Sequence, residues 1–264
     1  MIVCCFMKGD KMELTMKAFL IVCPMLFLAG FVDSIGGGGG LISIPAFLMA
    51  GLPPHAAVAT NKLGAFGGLF LSTMRFIRNK CISIKLAVPS VLAAIAGSYL
   101  GAHLSLRVNE KVMTYILFII LPVSTFLVLN KKLFNNTGSD EIILNWRTYV
   151  TVTLAAFIIG GYDGFYGPGT GTFLIIAFTV FAKLSIKMAN GQAKIINLTT
   201  NITSLIVFLL NGQVLIPLAL AACVCNMAGG YIGAGLALQN GAKIVRPIIL
   251  FVLGLLFVKI IFGL

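Results

Sequence analysis

Four charged side chains lie inside stretches of this sequence that are otherwise almost entirely apolar. Lys62 and Lys194 each come about one third of the way into a long apolar run, and Asp33 and Asp163 each precede a glycine-rich segment. A charge at that depth in a bilayer costs about 3 kcal/mol on insertion scales, so it faces a polar interior or a partner. The lysines can bind an anion or snorkel to the membrane surface. The aspartates can neutralise the lysines, cap freed N–H groups or exchange protons.

Two glycine-rich segments interrupt the apolar sequence where helices would otherwise continue. Residues 36–40 are five consecutive glycines, and residues 164–171 read Gly-Phe-Tyr-Gly-Pro-Gly-Thr-Gly. A break within a bilayer must be buried in protein or line a polar cavity. Helices that begin after the breaks, near Leu41 and Thr172, would direct free N–H groups inward, where they can hold an oxyanion. Together with two lysines this favours an anionic solute, although glycines can also simply permit close helix packing.

The composition is that of a polytopic membrane protein. Of the 264 residues 59% are hydrophobic and 10% are charged, whereas about a quarter of residues are charged in soluble domains. Since a spanning helix takes about 20 apolar residues, the chain has room for about seven to nine membrane segments and forms one membrane domain, 1–264. The net charge of +12 is explained by basic topology signals in loops, so nucleic acid is not an expected partner.

The chain contains an internal duplication. Gly97-Ser-Tyr-Leu-Gly101 aligns without gaps on Gly229-Gly-Tyr-Ile-Gly233, and the same register aligns the two lysines with each other. A register that differs by a short insertion aligns the two aspartates. Such self-similarity indicates two related halves. We assign repeat one to 17–130, repeat two to 147–262 and a linker to 131–146.

The glycine segments predict a broken first element in each repeat. The flanks 148–160 and 172–182 would be about 20 Å and about 16 Å long as helices, shorter than a hydrocarbon core of about 30 Å. Apolar runs at 112–129 and 245–262 complete the two halves. The sequence therefore predicts an all-α polytopic membrane protein with two related four-helix repeats, each starting with a broken or re-entrant pair of half-helices. Paired interruptions indicate a transporter binding site between the repeats.

The relative orientation of the two repeats is suggested by their loops. One first-half loop carries Arg75, Arg78, Lys80 and Lys85, whereas the equivalent loop, Asn211-Gly-Gln-Val-Leu215, carries no charge. That difference is expected if equivalent loops lie on opposite membrane faces. We therefore favour inverted repeats, while the overall distribution of basic residues also permits parallel ones.

Polar residues around the two lysines complete the predicted site. Lys194, Asn197, Asn201 and Ser204 recur at intervals of three and four and so share one helix face. Such a stripe either bonds to neighbouring helices, at about 0.6 kcal/mol per contact, or lines a hydrated path. The predicted substrate-binding residues are Thr60, Asn61, Lys62, Gln192, Lys194, Asn197, Asn201, Gly38, Gly39, Gly40, Gly169, Thr170 and Gly171, and the predicted proton-coupling residues are Asp33 and Asp163.

The six cysteines show neither a disulfide framework nor zinc-ligand spacing, and they are interpreted as small buried hydrophobes. No cofactor and no metal site is predicted. A membrane-embedded enzyme with Cys223 or Cys225 as nucleophile would need a base near the thiol, which the surrounding sequence lacks. We therefore do not expect an enzyme.

Several motifs together resemble the TauE/SafE family of sulfite-exporter-like permeases. They are the glycine-rich segment 33–45, Ala59-Thr-Asn-Lys62, Gly97-Ser-Tyr-Leu-Gly101 and Gln192-Ala-Lys-Ile-Ile-Asn-Leu-Thr-Thr-Asn201. The resemblance covers nearly the whole chain. It implies a multi-pass protein of the bacterial inner membrane that moves sulfite, sulfoacetate or other small organosulfonates and is driven by an ion gradient.

Both lines of reasoning predict an anion permease, and we expect it to be a secondary transporter that works by proton-coupled alternating access. The resemblance implies that its substrates are small sulfur-containing anions such as sulfite or organosulfonates. The expected partners are the anionic substrate, a coupling proton and the lipid bilayer. A transporter or channel for another small anion, such as a carboxylate, is the main alternative, and a thiol enzyme is a remote one. The oligomeric state is left open.

Overall fold

The computed structural model describes residues 3–7, 10–14, 16–109, 111–112, 115 and 145–240. Within these residues the fold is helical apart from one short antiparallel hairpin near the N-terminus, which the sequence did not predict. The predicted apolar runs 112–129 and 245–262 and the linker 131–146 lie outside the described residues, except for positions 112, 115, 145 and 146. The elements are β1 Val3–Met7, β2 Asp10–Leu14, α1 Met16–Gly36, α2 Gly40–Met49, α3 Pro54–Arg78, α4 Ile84–Arg107, α5 Trp146–Phe165, α6 Thr170–Val180, α7 Ile186–Leu210 and α8 Ile216–Asn240.

Four of the described helices, α1, α4, α7 and α8, are long and apolar enough to cross a membrane. In α1 the residues at intervals of three and four, such as Val22 and Leu26, are buried against other helices. Its opposite side presents large apolar side chains, with Leu20 70% exposed and Leu28 47% exposed. A helix that is apolar on its exposed face as well as its packed face is a membrane helix. The prediction of a helical membrane protein is confirmed.

The helix α5 corrects one prediction. The run 148–160 was predicted to be a half-helix of about 20 Å, but α5 has 20 residues and is about 30 Å long. It begins earlier because the Asn145 side chain accepts a hydrogen bond from the Thr148 N–H at 2.8 Å. It continues through the glycines because they pack on α4, where a Cβ at Gly164 would lie 2.1 Å from the Ser98 carbonyl oxygen. Among the described helices, α2 and α6, with 10 and 11 residues, are too short to span.

Both predicted helix breaks are present. Gly37 and Gly38 have φ angles of +76° and +89°, and Gly167 and Gly169 have φ angles of +101° and +84°. These values lie in the left-handed region, where residues with a Cβ are strained. The chain therefore turns sharply between α1 and α2 and between α5 and α6, and glycine is required at these turns.

The two breaks touch each other, a feature we call the break contact. A Cβ at Gly37 would lie 2.3 Å from the backbone nitrogen of Thr172, and one at Gly40 would lie 3.0 Å from the Cα of Pro168. The Thr172 hydroxyl donates a hydrogen bond to the Gly36 carbonyl at 2.9 Å. The break in the first half of the chain thus packs backbone to backbone on the break in the second half.

The buried apolar residues form two core clusters. The first core cluster contains Phe76 from the end of α3 and Ala189 from the start of α7. The second core cluster contains Ala57 from the start of α3 and Phe208 from the end of α7. The helix α3 therefore runs from the second core cluster to the first, whereas its equivalent, α7, runs from the first core cluster to the second.

The glycines of the duplicated motif bring helices into direct backbone contact. A Cβ at Gly97 would lie 2.2 Å from the Phe157 carbonyl oxygen, and a Cβ at Gly229 would lie 1.9 Å from the Phe27 carbonyl oxygen. Real Cβ atoms do not approach so closely. The motif therefore packs α4 of the first half on α5 of the second half, and α8 of the second half on α1 of the first half, as small residues do in membrane helix pairs.

Replacement of Gly101 by alanine is expected to lower the free energy of unfolding by about 2 kcal/mol or more, because the new Cβ must push two backbones apart. The Cβ would lie 2.0 Å from the Gly161 carbonyl oxygen. Gly161→Ala is the matched control, since its Cβ would be at an ordinary 3.5 Å from the Gly97 carbonyl oxygen. Thermal unfolding in detergent measures both variants. Equal stabilities of the two variants would contradict the close packing.

Candidate functional site

The buried lysines and aspartates form two ion pairs, each joining one half of the chain to the other. Lys62 on α3 places its Nζ 3.1 Å from Asp163 Oδ2 on α5. Lys194 on α7 places its Nζ 2.9 Å from Asp33 Oδ2 on α1. The lysine side chains are 2% and 1% exposed. Neither lysine snorkels to the membrane surface.

The lysines also bind the ends of the helices that precede the breaks. Lys62 Nζ donates to the Asp163 carbonyl at 2.5 Å, and Lys194 Nζ donates to the Asp33 carbonyl. The last carbonyl groups of a helix carry the negative end of its dipole, and the Asp33 carbonyl also accepts the N–H of Gly37 at 2.8 Å. Each ammonium group therefore satisfies a carboxylate and a helix end together.

The aspartates in turn hold the first turns of the short helices. Asp33 Oδ1 accepts the N–H of Gly39 at 3.2 Å, and Asp163 Oδ1 accepts the hydroxyl of Thr170 at 2.8 Å. Neutralisation of the lysines and capping of the break, two of the roles open from the sequence, are both visible in this geometry.

A cavity with about 480 Å³ of atom-free space, including space open to solvent, lies between the two breaks. Its wall contains Ala65 and Leu69 from α3 and Ser43 from α2. Most of the predicted site residues converge on it. Those on the wall are Asp33, Gly38, Gly39, Gly40, Asn61, Lys62, Asp163, Gly169, Thr170, Gly171, Asn197 and Asn201.

Three predicted residues lie off the cavity wall. The Thr60 hydroxyl accepts the N–H of Leu215 at 3.1 Å and so supports the loop before α8. Gln192 is buried, and its amide atoms have no hydrogen-bond partner among the described residues. Both stand two residues before a pairing lysine, a spacing that turns them to the opposite side of the helix. Lys194 itself lies behind Asp33, which is on the wall.

Amide side chains supply much of the cavity's polarity. The Oδ1 atoms of Asn61 and Asn201 are buried and have no hydrogen-bond partner within the described part of the chain. An unpaired buried polar group costs about 1–3 kcal/mol. The predicted polar stripe ends at Asn201, because the Ser204 hydroxyl bonds back to the Thr200 carbonyl at 2.8 Å on its own helix.

Asn226 on α8 is a wall residue that the sequence did not predict. Its Nδ2 donates to the Leu26 carbonyl at 3.0 Å, and its Oδ1 accepts the N–H of Gly68 at 3.1 Å. One amide thus ties α8 to α1 and α3. The duplication did not indicate Asn226, because the register that aligns the glycine motifs places Ala94 at the equivalent position. The remaining sign was an amide side chain in the middle of a long apolar helix.

The described residues contain no group of three or more His, Cys, Asp or Glu side chains that could hold a metal ion. Cys223 fills the space above a glycine of α3, where a Cβ at Gly67 would lie 2.8 Å from its Sγ. Of the cysteines predicted to be small buried hydrophobes, Cys81 is buried, whereas Cys23, Cys223 and Cys225 are half-buried.

Both breaks and both ion pairs lie within a match to a known family. The family model described as "Sulfite exporter TauE/SafE" matches residues 22–260. The chain belongs to the TauE/SafE family. No solved structure matches this TauE/SafE protein.

Curated relatives cover almost all of the TauE/SafE chain. "Probable membrane transporter protein YfcA" of Escherichia coli (strain K12) is 34% identical over 257 residues, with 94% of each chain covered. "Probable membrane transporter protein ORF9" of Sinorhizobium sp is 35% identical, with 89% of this chain and 88% of the relative covered. A "Probable membrane transporter protein" of Haemophilus influenzae is 30% identical, with 95% and 97% covered. The protein is a membrane transporter of the TauE/SafE family.

Proposed function

We propose that this TauE/SafE protein is a secondary transporter of small sulfur-containing anions such as sulfite or organosulfonates, coupled to protons and working by alternating access in the inner membrane. The observation that carries the proposal is the pair of reciprocal ion pairs, Lys62 with Asp163 and Lys194 with Asp33, around one cavity at two helix breaks. The family description, which names sulfite, supports the substrate class.

The site attracts an anion through the helix ends and not through a net charge, because two lysines and two aspartates cancel. Gly40 and Gly171 lie on the cavity wall in the first turns of α2 and α6. A helix N-terminus carries a partial charge of about +0.5 and free N–H donors. Glycine lets a ligand approach those donors closely. Two such ends at one cavity suit a compact oxyanion.

The architecture supports inverted repeats. Equivalent helices α3 and α7 pass between the two core clusters in opposite orders, and each half supplies the lysine for the other half's aspartate. We propose that a twofold axis in the membrane plane relates the halves, with each short helix turning back into the membrane. Rocking of one half against the other would then open the cavity alternately to the two sides.

Purified protein is expected to be protected against thermal unfolding by sulfite and methanesulfonate but not by acetate. A ligand at about 100 times its Kd adds about 2.7 kcal/mol of stability if it binds the folded state alone. Ala65→Phe, which places a ring on the cavity wall, should remove the protection and serves as the control for binding at this site. Proteoliposomes should accumulate labelled sulfite with saturable kinetics.

Different results would indicate the alternatives. Protection by acetate and not by either sulfur anion would favour a carboxylate transporter. Flux that neither saturates nor responds to a pH gradient would favour a channel. Protection that persists in the Ala65→Phe variant would place the ligand elsewhere.

A further inference from the structure

The two ion pairs differ in how far the carboxylate is enclosed. The Asp163 side chain is 4% exposed, whereas the Asp33 side chain is 17% exposed. Their lysine partners are almost equally buried. The difference therefore lies on the carboxylate side, and Asp33 is the more exposed of the two carboxylates on the cavity wall.

The contacts of the two carboxylates explain this difference. Thr170 donates its hydroxyl to Asp163 Oδ1 at 2.8 Å, and Gly167 covers the pair, where a Cβ would lie 3.0 Å from both Asp163 Oδ1 and Lys62 Nζ. In the register that aligns the two aspartates, the position equivalent to Thr170 is Gly40, which has no hydroxyl. The equivalent oxygen of Asp33 accepts a backbone N–H at the longer distance of 3.2 Å.

The groups facing Asp33 come from each element around it. Lys194 of α7 pairs with it, while α2 contributes the Gly39 N–H and α6 contributes Gly171, where a Cβ would lie 3.9 Å from Asp33 Oδ1. Across the cavity, α3 and α5 present Lys62 and Asp163, paired with each other, and α8 presents the neutral Asn226. Lys194 is thus the one charged side chain bonded to Asp33 among the described residues.

We propose that Asp33, and not Asp163, carries the coupling proton, and that its protonation makes the charge of Lys194 available to the transported anion; this inference rests on the transport function proposed above. A buried ammonium group without a counter-charge is strongly unfavourable. When Asp33 takes up a proton, a monoanion in the cavity restores neutrality. The protonated carboxyl group donates its O–H to the anion, with Lys194 Nζ directly behind it.

This arrangement fixes the stoichiometry. One proton and one monoanion enter together, so the site is neutral both empty and loaded. When both leave on the other side, the carboxylate pairs with Lys194 again. The Lys62–Asp163 pair keeps its charges throughout and holds the second break in place.

Methanesulfonate is the probe, because a sulfonate keeps its charge across the working pH range and any pH effect then belongs to the protein. Wild-type protein in weakly buffered detergent should take up one proton per methanesulfonate bound. Its apparent Kd should weaken by about tenfold per pH unit at alkaline pH, as linkage to one proton requires. A membrane potential imposed with valinomycin and potassium should leave uptake into proteoliposomes unchanged.

The variant Asp33→Asn should bind methanesulfonate with a Kd that no longer depends on pH, and Asp163→Asn should keep the pH dependence. The inference is wrong if Asp33→Asn retains that dependence, if Asp163→Asn alone loses it, or if uptake follows the membrane potential. If Asp33→Asn does not fold, proton uptake by the wild type decides, and its absence overturns the inference. A wild type that binds and transports neither methanesulfonate nor sulfite would remove the proposed function instead.

Discussion

Replacement of Lys194 by methionine is expected to reduce proton-driven uptake of methanesulfonate by about a hundredfold or more, to the level of empty liposomes. Loss of one partner of a buried charged contact costs about 2–5 kcal/mol in binding. Methionine keeps much of the side-chain volume and adapts to its surroundings. The Asp33 side chain that loses its partner at 2.9 Å is 17% exposed, against 4% for Asp163, so its loss of the partner costs less folding free energy. The variant should therefore fold and fail at transport.

Lys187→Met is the matched control for this experiment. Lys187 lies on the same helix, α7, and is exposed. Its replacement makes the same chemical change without reaching the cavity, so uptake should be close to that of the wild type. A direct role of the Lys194 ammonium group in transport would be ruled out if Lys194→Met has normal thermal stability and takes up methanesulfonate at a rate comparable to the wild type.

The second large effect concerns stability. Lys62→Met and Asp163→Asn should each lower the free energy of unfolding by about 3–5 kcal/mol, because each leaves a buried charge without its partner. The double variant should cost clearly less than the sum of the two, with a coupling energy of up to about 3 kcal/mol. Unfolding of the purified protein by increasing SDS measures all three.

A distant lysine provides the reference cycle. Lys85 is exposed at the start of α4, and Lys85→Met combined with Asp163→Asn should be additive within about 0.5 kcal/mol. Additivity for Lys62 and Asp163 as well would mean that their 3.1 Å contact contributes nothing to the fold.

Helix breaks and buried charges could be predicted because they contradict a membrane helix locally. Residues 36–40 and 164–171 are unlike any continuous spanning segment, and Lys62 and Lys194 are costly at their depth whatever surrounds them. The partner of each lysine could not be predicted in the same way. Periodicity gives the face of a helix, and only the packing of the two halves brings Lys62 to the aspartate of the other half.

Three other features depended on packing in the same manner. The bounds 148–160 were predicted from hydropathy alone. The helix α5 extends to Phe165, because α4 covers its glycines. Asn226 has no counterpart in the duplication, so self-similarity could not indicate it. Thr60 and Gln192 were predicted from closeness in sequence to the lysines, and the helical turn places them off the cavity wall.

The break contact has a mechanical consequence. Gly37 and Thr172 meet through backbone atoms, so there are no long side chains at this point that could swing aside. If the halves rock as proposed, this contact is the pivot of the rotation. The cavity lies beside this pivot, where the displacement of one half relative to the other is smallest. A bound ion would then stay almost stationary while the two ends of the protein open and close around it.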